Sequence, residues 1–185
     1  MTIADQPPLS DDMLRALLDA YRGLYAVKYD EVLRQLERKT FFGRDDVDLV
    51  ATWKFGNWPQ RLARTRNLLG KNSDRDIENL SARAFRCNDD LGALLLIELL
   101  GGVGKALGSA ILMAQQPSRY TVIDVNAVRA LQAVGYLRDC PRPTNRKRSL
   151  PGWDHYLAAV RDIAARTGWT LRDVDRALYC AGRER

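Results

Sequence analysis

Four consecutive residues, Gly101-Gly102-Val103-Gly104, interrupt the apolar run over residues 94–131 (LLLIELLGGVGKALGSAILMAQQPSRYTVIDVNAVRAL) and limit what the chain on either side can build. Glycine is a poor helix former, so a helix that begins in the leucines must stop there and a second must start at Lys105. Glycines free to take positive φ let the second helix fold back on the first, with its opening N–H groups pointing outward together. Those donors, the helix dipole and Lys105 form a cradle for an anion such as a phosphate. A plain tight turn between two helices explains the same residues, and Ala106, Gly108, Ser109 and Ala110 favour close helix packing on either reading.

The commoner phosphate loops do not fit. A Walker loop requires glycine where the chain has Leu99 and Ser or Thr where it has Ala106. The dinucleotide fingerprint requires glycine at Leu107, within a strand-helix-strand unit that the surrounding sequence lacks.

The rest of the chain reads as helices. Ser10-Asp11-Asp12 opens one carrying Leu14, Leu17, Leu18, Tyr21, Leu24 and Tyr25, after a leader over residues 1–9. A second piece over residues 30–38 carries Val32, Leu33 and Leu36. Asp45-Asp46 opens a third with Leu49, Val50 and Trp53 facing inward. Pro59 restarts the chain after Gly56, in a helix whose Arg61, Arg64 and Arg66 suit either a phosphate backbone or a solvated face. The helix from Ser73 carries Ile77, Leu80, Ala84 and Phe85, and Asn88-Asp89-Asp90 caps the next. Residues 139–151 read as a basic, proline-containing loop, followed by helices near 152–167 and 171–181, where Thr170 and Asp173 resemble a capping box. No run alternates convincingly, so the fold class expected is all-α.

With 185 residues, of which 46% are hydrophobic, the chain can bury a substantial core. A net charge of +6 fits a phosphate-bearing partner. Cys87, Cys140 and Cys180 lack metal-site spacing, so no metal is expected and a reducing compartment is favoured. No apolar run reaches the roughly 20 residues of a membrane span, and the polar amino terminus does not resemble a signal peptide; a cytoplasmic protein without a membrane partner is expected. The single histidine, His155, lies in a helix-like segment with no GxSxG nucleophile and reads as a surface or half-buried residue.

Asp124 follows the last hairpin glycine by 124 − 104 = 20 residues, and Arg129 follows Asp124 by 129 − 124 = 5. Leu100, Gly102, Val103, Gly104, Asp124 and Arg129 together make the chain resemble the helix-hairpin-helix DNA glycosylase superfamily, of the endonuclease III and adenine glycosylase type. The resemblance implies a two-lobed helical fold, with a central lobe over residues 44–116 and a second lobe formed by 10–43 and 117–185. It implies that Gly102, Val103, Gly104 and Lys105 hold a DNA phosphate, with a monovalent cation on hairpin carbonyls as an optional companion, and that Asp124 is the catalytic carboxylate. A fixed carboxylate beside the sugar stabilises the positive charge that develops when an N-glycosidic bond breaks, and the target base is first flipped from the duplex. Asp124 also reads as an ordinary N-cap, and one residue can serve both ends.

Two departures refine the expectation. Ala106 stands where strand-cutting members carry a lysine nucleophile, and Lys105 lies one place earlier, roughly 100° around the helix. The cysteines of an iron–sulfur cluster are missing after Asp124. The implied activity is therefore monofunctional: hydrolytic release of a damaged base in repair, or of a modified base in phage DNA as defence, by a monomer. Trp53, Trp58 and Tyr120 are candidates to stack on a flipped base, with core packing as the alternative for each, and the turn Gly70-Lys71-Asn72 is a candidate wedge. The rival reading is a non-catalytic helix-hairpin-helix protein that uses the hairpin for phosphates alone.

Overall fold

The computed structural model describes residues 10–22, 28–133, 135–137 and 152–183. The leader over 1–9, Leu24, Tyr25, Cys140 and the basic loop over 139–151 lie outside the described residues, as do the side chains of Leu14, Leu17, Leu18 and Tyr21. Among the described residues there are helices and no strand, as the sequence leads one to expect. They are α1 (Asp11–Arg22), α2 (Lys28–Glu31), α3 (Arg44–Phe55), α4 (Pro59–Leu69), α5 (Asp74–Phe85), α6 (Asp90–Glu98), α7 (Lys105–Gln115), α8 (Val125–Ala133), α9 (Trp153–Thr167) and α10 (Leu171–Arg183), with a 3-10 turn at Arg34–Leu36.

The helix starts are set by local chemistry. The Gly43 N–H donates to the Asp46 carboxylate (3.1 Å) at α3, and Pro59 occupies the first turn of α4, where its missing N–H is not needed. Ser73 Oγ accepts from the Asp76 N–H (3.1 Å) at α5, and Asp89 accepts from the Leu91 and Gly92 N–H groups (3.3 and 2.8 Å) at α6. At α10 the Asp173 N–H donates to Thr170 Oγ1 (3.1 Å), while the Asp173 carboxylate accepts a hydrogen bond from the Thr170 hydroxyl (2.7 Å) in place of one from a backbone N–H.

The chain divides into two compact units, one of Val27–Val122 and one of Met1–Ala26 with Ile123–Arg185. In the Val27–Val122 unit, α7 is the central element: every residue from Leu107 to Ala114 is buried, and α3, α6 and the 3-10 turn pack around it. The boundaries differ from the lobes of 44–116 and 10–43 plus 117–185. Residues 28–43 join the α7 unit because Leu33, Leu36 and Phe42 are buried in its core and the Arg38 N–H donates to the Gln115 carbonyl (2.9 Å). Residues 117–122 join it because Arg119 reaches back to the start of α6, 2.8 Å from Asp90 and 2.7 Å from the Asn88 carbonyl. The expected helix over 30–38 is instead a short helix and a 3-10 turn, which still bury Leu33 and Leu36 but leave Val32 exposed.

In the second unit α10 packs on α8, and α1 and α9 pack on α10. Trp153, Tyr156, Ile163, Val174 and Leu178 are fully enclosed. A Cβ on Gly182 of α10 would lie 1.8 Å from the Asn126 carbonyl oxygen, so the first turn of α8 is pressed against bare backbone. Tyr136 closes the other end of α8 by donating its hydroxyl to Asp162 (2.6 Å) on α9, where Arg166 also reaches Asp11 (2.6 Å) on α1. His155 is exposed on α9, as its position in the sequence suggests.

Gly182→Ala should destabilise the protein by about 1–3 kcal/mol or more, because backbone must move to admit the methyl; a denaturant midpoint equal to that of the wild type would contradict this packing. Burial, with the Asp162 carboxylate second, pushes the Tyr136 hydroxyl from 10.0 up to about 12. The folded chain thus holds this proton more tightly than the unfolded one, so the contribution to stability is complete below pH 10 and is lost as the pH rises towards about 12. Tyr136→Phe should flatten that part of the stability profile, read by denaturation at stepped alkaline pH.

Candidate nucleic-acid interface and carboxylate

The glycine hairpin is a rigid structure held by α4. Gly102 takes φ +87, and a Cβ there would lie 2.8 Å from the Thr65 carbonyl oxygen, 3.0 Å from Leu68 Cβ and 3.1 Å from the Leu69 nitrogen. Both the dihedral and the space therefore demand glycine. Leu100 and Val103 point inward and are buried, and the Val103 N–H donates to the Leu100 carbonyl (3.0 Å) to close the turn. Gly104 differs: its backbone is extended at φ −108, and nothing lies within 4 Å of the Cβ it lacks.

Asn72, from the turn after α4, clasps the hairpin from outside. Its Oδ1 accepts from the Gly101 N–H (2.8 Å), and its Nδ2 donates to the carbonyls of Gly101 (3.1 Å) and Leu69 (2.8 Å). An amide so fully used is a fastener, which leaves Gly70 and Lys71 as the exposed residues of the turn. No local spacing records this tie, because Asn72 and Gly101 are 29 residues apart.

Lys105 and Ala106 are the first residues of α7, directly after the extended Gly104. The Leu107 and Gly108 N–H groups both donate to the Gly104 carbonyl, 2.9 and 2.8 Å away. The Leu100 and Gly101 carbonyls are likewise engaged, which leaves those of Gly102 and Val103 in the hairpin. Among the described residues no group of three or more His, Cys, Asp or Glu side chains is placed to hold a metal.

Asp124 lies in the other unit. Its Oδ1 accepts from the Asn126 N–H (2.9 Å) and its carbonyl from the Val128 N–H (2.9 Å), so it caps α8 while remaining half-buried. Around it the structure gathers side chains that the sequence did not single out. The Tyr156 hydroxyl donates to Asp175 (3.2 Å), and Arg172 pairs with the same buried carboxylate. Burial pushes the Tyr156 hydroxyl well above its ordinary range, with the charges of Asp175 and then Asp124 adding to the effect. Tyr179 is raised by burial first and Asp124 second. Arg172, Asp175 and Tyr179 are spaced by three and four along α10, a periodicity that shows a shared face but not what the face meets. Arg129 is half-buried on α8.

The three stacking candidates have different fates. Tyr120 is 1% exposed, with the Arg119 guanidinium 4.9 Å from its ring centroid, so it offers no open face and is corrected to a core residue. Trp53 is half-buried and its Nε1 donates to Asp30 (3.3 Å) on α2. Trp58 is 47% exposed.

The chain matches no protein-family model, no curated protein and no solved structure. The resemblance therefore rests on the chain's own residues.

Replacing Gly102 with Ala should destabilise the fold by about 1–3 kcal/mol through strain and close approach. Asn72→Ala should cost a similar amount by leaving the Gly101 backbone groups unmatched. Gly104→Ala should stay within about 0.5 kcal/mol, because neither dihedral nor space requires glycine there. Denaturant titration of the three variants checks the order, and a large effect at Gly104 with none at Gly102 would contradict it.

Proposed function

We propose that the protein is a monofunctional DNA glycosylase. The observation that carries this reading is the hairpin itself: a left-handed Gly102 turn fastened to α4 that delivers Lys105 and the uncapped first turn of α7 as a preorganised phosphate grip. Supporting it is a carboxylate at the spacing the resemblance requires, Asp124, held at a helix start by a backbone N–H. In the proposed reaction, ionised Asp124 stabilises the cationic sugar as the bond between C1′ and the base nitrogen breaks. Water then adds to C1′ and gives up a proton, while the departing base gains one. The products are a free base and an abasic site. Ala106 in the lysine position supports hydrolysis over Schiff-base chemistry. Substrates of the class are damaged bases in repair or modified bases of phage DNA.

Asp124→Asn separates chemistry from structure, since Asn caps a helix about as well as Asp and keeps the acceptor for the Asn126 N–H. Base release from a panel of damaged and phage-modified duplexes should fall at least about 100-fold, with stability and DNA binding retained. Borohydride should trap no covalent adduct. Unchanged release in the variant would end the reading. The capping role of Asp124 favours one rival, a non-catalytic DNA-binding protein, for which no base is released and Asp124→Asn changes nothing.

A further inference from the structure

The charge of this protein is segregated. No acidic residue occurs between Asp48 and Asp74, or between Glu98 and Asp124. These two stretches hold Lys54, Arg61, Arg64, Arg66, Lys71, Lys105 and Arg119, seven of the 29 basic residues, which leaves 22 basic against 23 acidic residues elsewhere. The two stretches meet where Gly102 lies against Thr65 and Leu68, which places the hairpin beside α4.

On α4, Leu62, Thr65 and Leu69 are buried, while Arg61 and Arg64 stand one turn apart on the exposed side. Arg66 is taken up by a two-pronged pair with Asp48 (2.7 and 2.8 Å), whose carboxyl that hydrogen bond holds below its usual range. Arg64 and Lys71 form no ion pair among the described residues. At the start of α4 the exposed Trp58 ring lies 6.5 Å from the buried Phe55 ring, and the Arg61 guanidinium sits 4.2 Å from the Phe55 centroid and 5.7 Å from that of Trp58. A tryptophan braced in this way presents a fixed π-face and has little side-chain freedom left to lose on binding.

An aromatic face beside arginines on a basic strip suits a nucleic-acid strand, and stacking accepts any base whose face is open. Bases inside a duplex have no open face. We infer that Trp58 and Arg61 form a second DNA contact, which stacks on an unpaired base of the strand whose backbone the hairpin holds, with Arg61 and Arg64 on the intervening phosphates. Trp58 and Leu68 are ten residues apart on α4, roughly 15 Å. That span covers about four nucleotides at the duplex rise of one strand. The inference rests on the DNA-binding part of the proposed function and not on Asp124, and it predicts a preference for junctions between duplex and single strand.

Fluorescence anisotropy of the full chain on labelled blunt duplex, and on the same duplex with a short single-stranded overhang at either end, tests it. The wild type should bind one overhang form roughly 5- to 100-fold more tightly than the blunt form. Trp58→Ala should abolish that difference, Trp58→Phe should restore most of it, and the double change Arg61→Gln with Arg64→Gln should lower the slope of log affinity against log salt by about 1.5. Equal binding of blunt and overhang forms by the wild type, or a preference that survives Trp58→Ala, overturns the inference and leaves the glycosylase reading standing. No binding to either DNA by folded protein overturns both.

Discussion

The tightest constraint in the Val27–Val122 unit is the contact of Gly102 with the backbone of α4. Its left-handed turn lies against the Thr65 carbonyl and the Leu69 nitrogen, and no other residue type fits there. The direction of α7 follows from that turn, and α7 is the helix around which α3, α6 and the 3-10 turn assemble. A Cβ on Gly108 would come within 2.8 Å of Leu94 Cδ1, so α6 and α7 also approach through a missing side chain. Asn72 then joins the outside of the turn to the end of α4. Hairpin geometry and core packing are thus one problem with one solution.

The other unit applies the same device at a different place. Gly182 lets α10 rest directly on the carbonyl of Asn126, the same residue whose N–H fixes the Asp124 carboxylate. Beneath it, the Arg172–Asp175 pair with Tyr156 puts two charges almost out of water. Such a pair is costly to bury and strongly destabilising when one partner is removed, so its presence favours a defined arrangement of α9 and α10 more than added stability. Burial, with the negative charges of Asp175 and then Asp124 adding to it, keeps Tyr156 protonated, which leaves its hydroxyl as a donor.

Much of the local structure was legible in the residues. Helix starts at Ser73, Asp89 and Thr170 and the proline at the head of α4 act through neighbours a few places away, and short-range chemistry of that kind can be read from spacing. The hairpin glycines were readable for the same reason, although Gly102 and Gly104 look alike in the sequence and only one is forced. Long-range pairings were not readable. Tyr120 looked as available for stacking as Trp58, and the two differ only because one ring is enclosed in the fold and the other stands on a surface. The segment 28–43 carries the leucines of a core without indicating which core, and its place with α7 is decided by Phe42 and by Arg38 reaching Gln115.

The sequence alone determined the helical character, the glycine turn at Gly102 and the cap at Asp124. These depend on dihedral preference, on capping and on side-chain identity, all of which are properties of a residue and its near neighbours. Tertiary structure decided what those features are attached to: α4 beneath the hairpin, Asn72 as its clasp, Gly182 beside the Asp124 cap, and Trp58 braced by Arg61 at the end of a basic surface. Each of these is set by close packing between segments distant in the chain, where tenths of an ångström separate a contact from a clash and no pattern of residue types records the outcome.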